Sequence, residues 1–344
     1  MYTFVLWVSL FCVSASQSVG TAISSETARA DIQSAIDGLP ESGGTVFIPA
    51  GRYVVDGLIH IKRSHVALRG EPGTVLVLGD NVNQSILLIG TDIEKPVEKD
   101  KILDVEICSI EFDGNKDKQD SEVHSSKPWL RNNTIDVRAV DDLDIDSVNT
   151  HDARSGGIVV SWDCDRLKIR NCISHHNYFD GVALYDSHQV LVTSFHCYEN
   201  GGAGLSLDNQ LVDVTFADGF IYRNKNVGIF ARDSDGLNFR NLVIRENATF
   251  GTYLAHATYP PDHEKAGEII PDTGFQNSNF SNCSFIDNKG FGICVESTPD
   301  LSSNNSVIGC TFSGNAAPSI RCRSSAVLTS FGNLIYNERF GEGE

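Results

Sequence analysis

The sequence predicts an all-β chain wound as a single-stranded parallel β-helix, with an N-terminal capping α-helix, and three observations predict it. First, five segments between Gly157 and His256 overlay on one another: Gly157-Ile-Val-Val-Ser-Trp, Gly181-Val-Ala-Leu-Tyr-Asp, Gly204-Leu-Ser-Leu-Asp-Asn, Gly228-Ile-Phe-Ala-Arg-Asp and Gly251-Thr-Tyr-Leu-Ala-His. Their glycines lie 24, 23, 24 and 23 residues apart, a period that signals a solenoid whose units bury their apolar faces only by stacking. Second, an asparagine stands four residues before every glycine but the first, at Asn177, Asn200, Asn224 and Asn247. The pattern returns at Asn288/Gly292 and, with serine for glycine, at Asn315/Ser319. Third, positions one and three after the glycine are mostly apolar (Ile158/Val160, Val182/Leu184, Leu205/Leu207, Ile229/Ala231), whereas positions two and four are mixed or polar. That period of two belongs to a strand with one buried face. About 23 residues suffice for three short strands and three turns, so coils stack ~4.8 Å apart. The recurrent asparagine reads as a turn residue that takes the left-handed conformation and hydrogen-bonds its counterpart one coil on.

The elements follow in order. Residues 1–16 read as a signal peptide: Phe4 to Val13 is apolar and Val13-Ser-Ala15 offers small residues for cleavage, although no Lys or Arg precedes the apolar run. The run is shorter than the ~20 residues a spanning helix needs. The mature chain, 17–344, is expected as one secreted, extracellular domain. Residues 24–39 predict the capping helix, with Ser24 or Ser25 as N-cap, Ala28, Ile32, Ala35, Ile36 and Leu39 on one face, and Gly38 and Pro40 ending it. Two short strands follow around the Pro49-Ala-Gly turn, and further strands at His65–Gly70 and Thr74–Leu78. Residues 91–130 are charged and aperiodic, and so are expected as loops beside the stack, as are 257–276. Regular coils are expected over about 131–323, with a polar cap or tail from Leu334.

The run Asp31-Ile-Gln-Ser-Ala-Ile-Asp37 followed by Gly43-Gly-Thr-Val-Phe-Ile-Pro-Ala-Gly-Arg-Tyr53 resembles the opening of secreted pectate-lyase-like β-helix proteins. With Ile110-Glu-Phe-Asp-Gly-Asn115 it is particularly similar to bacterial mannuronan C5-epimerase catalytic modules. The resemblance spans roughly residues 30–300 and implies a right-handed β-helix acting on polysaccharide. The epimerase catalytic strand Tyr-Gly-Phe-Asp-Pro-His is not matched: the corresponding strand here is Gly156-Gly-Ile-Val-Val-Ser161, so the family's tyrosine, aspartate and histidine are not carried over. The polygalacturonase pattern of paired aspartates with a Gly-His-Gly strand is also missing.

The net charge of −18 argues against nucleic acid and anionic membrane as partners and leaves a polysaccharide as the expected ligand. The oligomeric state is left open. Sequons at Asn83, Asn132, Asn247, Asn279, Asn282 and Asn304 fit a secreted glycoprotein. Removing Cys12 with the signal leaves eight cysteines, an even count that admits disulfides. Cys283 and Cys310 should stack in adjacent coils, and Cys294 and Cys322 likewise; for Cys172 and Cys197 a buried thiol is an equal alternative.

Outward positions on the repeating strand assemble the candidate site. Tyr185, Asp208 and Arg232 hold the fourth position of three consecutive coils, so neighbours should lie ~5 Å apart, and His256 follows. These four are the candidate catalytic residues. Arg138, Trp162, Asp186, Phe230, Asp233 and Tyr253 are the candidate substrate-binding residues, and Asp136 shares a coil with Arg138. Tyr185 with Arg232, helped by His256, suits proton abstraction at C5 of a uronate with neutralisation of its carboxylate. Asp186 and Asp208 could instead form the carboxyl pair of a glycoside hydrolase. No cofactor is required; Ca2+ is conceivable at Asp163, Asp186 and Asp208, though no linear calcium-loop motif is present. The expected function is therefore a secreted polysaccharide-active enzyme with lyase or C5-epimerase chemistry on a uronate-containing glycan. The alternatives are a glycoside hydrolase or glycosyl transferase using two of Asp186, Asp208 and Asp233, and a non-catalytic glycan-binding or adhesive β-helix.

Overall fold

Every regular coil gives one strand to each of three parallel sheets. The computed structural model describes residues 18–20, 28–298, 300–322 and 327–339. The expected signal segment, Cys12 and the N-cap serines lie outside them. The chain makes about 12 turns of a right-handed parallel solenoid. The first sheet has 10 strands, from Ile59–Ile61 through Ile135–Arg138, Ile158–Ser161, Val182–Tyr185, Leu205–Asp208 and Ile229–Ala231 to Ile320–Cys322. The second carries the longest strands, such as Val140–Asp146, Cys164–Arg170 and Ser187–Thr193, and the third the three-residue strands Asn149–His151, Ile173–His175, His196–Tyr198 and Phe220–Tyr222.

The register follows the glycine count. Ile135, Ile158, Val182, Leu205 and Ile229 are successive partners in one column, and Val137, Val160, Leu184, Leu207 and Ala231 in the next. All are buried. Because alternate side chains face opposite ways, a slip of one residue would turn this whole apolar set into water, which fixes the pairing. The wider part of the core takes phenylalanines: Phe216, Phe239 and Phe280 stack with centroids 5.3 and 4.4 Å apart.

The asparagine column runs unbroken from Asn177 through Asn200, Asn224, Asn247 and Asn288 to Asn315. From Asn200 on, each Oδ1 accepts the backbone N–H and the Nδ2–H of the preceding asparagine, and that of Asn177 accepts the Ala153 N–H; the amide-to-amide distances are 2.9, 3.0, 3.0, 2.9 and 3.0 Å. Beyond the first asparagine, the Nδ2 groups also donate to a backbone carbonyl, as from Asn224 to Cys197. These side chains are fully buried and fully bonded, a satisfied polar network of the kind that specifies a core. The expectation that they adopt the left-handed conformation is corrected: that conformation belongs to the residue before each, His176, Glu199, Arg223, Glu246, Asp287 and Gly314. The turn needs one left-handed residue, and the asparagine is then free to point inward. The reference glycines are required by the same column. A Cβ on Gly181 would come within 2.8 Å of both Asn200 Nδ2 and the Gly204 carbonyl, and one on Gly228 within 2.5 Å of the Gly251 carbonyl.

The capping helix, α1, spans Ala28–Asp37 and buries Ala28, Ile32, Ala35 and Ile36. It closes the first strand of the first sheet with polar bonds as well: Gln33 donates to the His60 carbonyl and accepts from its N–H, and Arg29 Nε donates to Leu58 O. An open sheet edge is thereby removed.

Three expectations about the chain's organisation change. Residues 91–130 are not loops throughout, because Ile102–Cys108 and Glu111–Asp113 are strands of the second and third sheets between two loops. The described stack accordingly runs from Ser18–Gly20, which pairs in parallel with Gly44–Ile48 in the second sheet, to Leu334–Tyr336, its last strand in the third sheet. Unequal loop lengths hide the period there. No disulfide joins the described cysteines. Cys283 and Cys310 do stack, with the Cys283 N–H directed to Cys310 Sγ at 3.4 Å, but strand register sets Cys294 beside Arg321 and Val295 beside Cys322. Burial pushes the Cys164 and Cys172 thiols up to about 12, so they fill the core as neutral groups. The sequon asparagines Asn132 and Asn247 are fully buried and closed to a glycan in the folded chain.

Candidate functional site

The outer face of the first sheet carries the row read from the sequence. Tyr185 pairs in register with Asp208, and Arg232 continues the row one coil on, its Nε and Nη2 both meeting Asp208 Oδ2 at 2.6 Å. Asp208 Oδ1 accepts the Asn209 N–H at 2.8 Å. Burial raises the Asp208 carboxyl and Arg232 opposes that rise. Arg232 also lies over the Phe230 ring at 5.5 Å, and Phe230 meets Tyr253 at 6.1 Å. The guanidinium is part-exposed, with further N–H groups beyond the two that Asp208 engages.

Two clefts meet at Tyr185. One, of about 470 Å³, is lined by Ser161, Trp162, Tyr185, Asp186, Asn209, Gln210 and Asp233. The other, of about 350 Å³, lies across the sheet and is lined by Arg131, Ser155, Phe179, Asp180 and Tyr185, among others. The Tyr185 hydroxyl is 3.4 Å from Ser206 Oγ. Burial, and after it the Asp180 carboxylate, raises the Tyr185 phenol, which is therefore protonated at neutral pH.

Asp180 is the site residue that the strand pattern missed. It precedes Gly181, where the other coils carry Gly156, Ala203, Val227, Phe250 and Phe291; a lone charge in an uncharged column was the available signal. Its Oδ1 accepts the Ala203 N–H at 2.7 Å, and it hydrogen-bonds to Ser206. Burial raises its carboxyl. Asp180, Ser206 and Tyr185 thus form one connected polar group beside the Asp208–Arg232 pair.

Of the remaining residues, Trp162, Asp186 and Asp233 line the first cleft, and Arg138 and His256 do not. Arg138 is not a groove residue: it is buried, with Nε donating to Thr91 O at 3.2 Å and Nη2 to Ile93 O at 2.7 Å. The 91–94 loop folds over the sheet there and converts an outward position into an interior one. Asp136, on the same strand, is covered likewise, and burial pushes its carboxyl up to about 6. Arg138 and Asp136 form no surface ion pair. Trp162 lines the first cleft beneath Arg138, whose guanidinium is 5.5 Å from the ring, and it holds φ at 68°. That conformation costs a bulky residue roughly 1–2 kcal/mol. Asp186 caps its corner, with φ at 45° and Oδ2 accepting the Asp163 N–H at 3.0 Å. With Asp208 held by Arg232, Asp186 and Asp208 are each engaged separately. Asp233 occupies the equivalent corner, and its carboxyl is raised by burial and by Asp208. His256 sits at the fifth position, one residue past the row that contains Arg232, and its Nδ1 is buried without a hydrogen-bond partner.

Among the described residues, Asp163, Asp186 and Asp208 do not come together as a three-ligand group. Asp163 pairs with Lys101 at 2.9 Å. Asp113 and His151, at the ends of two third-sheet strands, and Asp152 do converge. Arg52 and Lys116 already contact those two aspartates, at 2.7 and 2.8 Å.

Fold and face together define a right-handed β-helix with a polar groove across one sheet. The model of the right-handed β-helix region matches residues 108–260. Mannuronan C5-epimerase AlgE2 of Azotobacter vinelandii is 25% identical over 250 residues, which cover 69% of this chain and 24% of that protein. Among solved structures, the A-module of A. vinelandii mannuronan C-5 epimerase AlgE4 superposes with a TM-score of 0.64 at 18% identity, covering 96% of each chain. A family 28 exopolygalacturonase of Yersinia enterocolitica gives 0.66 at 15% identity, covering 95% of this chain and 76% of that one. The chain spans between 12% and 31% of the length of the curated relatives it matches. It has the right-handed β-helix fold and resembles the epimerase A-modules.

Proposed function

We propose that this chain is an exported, polysaccharide-active enzyme that abstracts the C5 proton of a uronate residue, leading to elimination or to C5 inversion. The observation that carries the reading is the meeting of two clefts at Tyr185, with its protonated phenol and the Asp180 carboxyl together and the Arg232 guanidinium two coils along the same row, beyond Asp208. Asp180, whose proton affinity is raised by burial, is the candidate base. Arg232 offers its outer N–H groups to the uronate carboxylate and so stabilises the enolate-like charge that develops when the C5–H bond breaks. Tyr185 is the candidate acid. In elimination its proton goes to the glycosidic oxygen on C4 as that bond breaks and the C4–C5 double bond forms. In epimerisation Tyr185 gives its proton to C5 on the opposite face, while Asp180 holds the one it removed, and exchange with solvent resets both groups. The matched epimerases support the substrate class. The separate engagement of Asp186 and Asp208 weighs against a carboxyl-pair hydrolase.

Incubation with alginate, pectin and glucuronan tests the proposal, with ultraviolet absorbance reading unsaturated uronate and NMR reading C5 inversion. One of the two signals is expected on at least one polymer. Neither signal on any of them, or new reducing ends without unsaturation, overturns it.

A further inference from the structure

A third cleft lies round the asparagine corner from the groove, facing the third sheet. It has a volume of about 800 Å³, and its walls include Lys116, Tyr178, Phe179, Gly201, Arg223 and Lys225. Phe179 lines this cleft and the Asp180 cleft alike, so one side chain borders both. The repeat explains how the cleft opens. The two residues after the ladder asparagine are Tyr178-Phe179 in one coil, Gly201-Gly202 in the next, and Lys225-Asn226 in the third. The glycine coil has no side chains there, and a Cβ on Gly201 would fall 2.1 Å from the Tyr178 carbonyl. The aromatic wall and the lysine wall therefore stand two coil rises apart, roughly 10 Å. That gap admits a pyranose ring between them.

The chemistry of the walls suits an acidic sugar. Tyr178 and Phe179 are 44% and 40% exposed, which leaves two adjacent aromatic rings open to a ligand. The Arg154 guanidinium lies 4.2 Å from the Tyr178 ring centroid and steadies it. The cleft gathers Lys116, Arg223 and Lys225 against one acid, Glu199, on a protein whose net charge is −18. Lys116 and Arg223 are engaged by Asp152 and Glu246. Lys225 has no acidic partner among the described residues.

We propose that this cleft is a second, anion-selective glycan subsite, which binds a uronate-bearing segment of the same polymer several sugars away from Tyr185. The substrate class rests on the function proposed above; the site itself rests on the aromatic and cationic walls. Hydrogen exchange with a saturated uronate hexamer as the probe separates the two. The expected result is protection of residues 176–179 and 199–202 in addition to 183–186 and 206–209. Protection of the Tyr185 segments alone overturns the subsite and leaves the function standing, whereas protection of the cleft alone does the reverse. Protection of neither overturns both.

The double variant Tyr178→Ala/Lys225→Ala, at exposed positions that leave the core intact, gives the second measure. Hexamer affinity by calorimetry is expected to fall at least tenfold while trimer turnover stays at the wild-type rate. A neutral glucose hexamer should not bind this cleft. Unchanged hexamer affinity in the variant, or equal affinity for the neutral hexamer, overturns the assignment.

Discussion

Tyr185, Asp180 and Arg232 are the side chains on which the proposed chemistry turns. Tyr185→Phe keeps the ring and removes the hydroxyl, so turnover should fall by about 100-fold or more with little change in melting temperature. Asp180→Asn retains an oxygen for the Ala203 N–H and should give a similar loss. In the wild type, the rate should fall as pH drops through the raised Asp180 value, where the base is protonated, and again at high pH where Tyr185 loses its proton. A flat pH profile would contradict these roles. Arg232→Lys keeps the charge and loses the fork that spans Asp208 and a ligand; a large fall in turnover at near-constant stability is expected. Arg232→Ala additionally leaves the buried Asp208 without its partner, costing roughly 1–3 kcal/mol. Near-wild-type activity in both variants would remove Arg232 from the site. Asp136 supplies a stability test. Its carboxyl is raised from 3.8 to about 6, so the folded state binds the extra proton between those values and loses that advantage as pH rises through them. Relative to wild type, Asp136→Asn should gain stability from pH 4 to pH 7, by at most about 3 kcal/mol. A difference independent of pH would show that Asp136 is ionised throughout.

At the scale of the element, the asparagine column and the glycine column are one device. The column binds each coil to the next through side-chain amides, and the glycines leave the space it occupies. Asn224→Ala removes the acceptor for two donors of Asn200 and so strands buried polar groups. The expected cost is about 2–4 kcal/mol, read as a clear drop in the denaturation midpoint. Asn226→Ala, two residues on and exposed, should stay within about 0.5 kcal/mol. Equal effects in the two variants would mean that the column adds nothing to stability.

Over the whole molecule the two ends of the solenoid differ. Helix α1 covers the N-terminal end, whereas the last described strands leave Phe331 and Leu334 74% and 54% exposed. Cohesion along the stack comes from strand pairing, the apolar columns and the stacked rings, without covalent bridges among the described cysteines. A reductant should therefore leave the melting temperature unchanged. A fall of several degrees in dithiothreitol would reveal a bridge that this arrangement does not contain.

What the sequence determined by itself was whatever repeats. Val182, Leu205 and Ile229 could be placed in one column, and Tyr185 beside Asp208, because a coil returns each position to the same angle and adds only one strand spacing. The α1 face was legible for the same reason, from its apolar period. What only the tertiary structure decided was whatever lies between repeats. Arg138 sits in phase with the groove residues, yet the 91–94 loop, whose path has no period, buries it. Asp180 falls in the corner, where alternation says nothing about direction, and only the packing of Ala203 and Ser206 turns it toward Tyr185. His256 lies past the end of the strand that carries Tyr253, which stops at Leu254, and one residue beyond the catalytic row, where alternation no longer fixes a side chain's direction. The asparagines were rightly assigned to a turn and wrongly given its left-handed residue, because spacing locates a corner without saying which of two neighbours bends it.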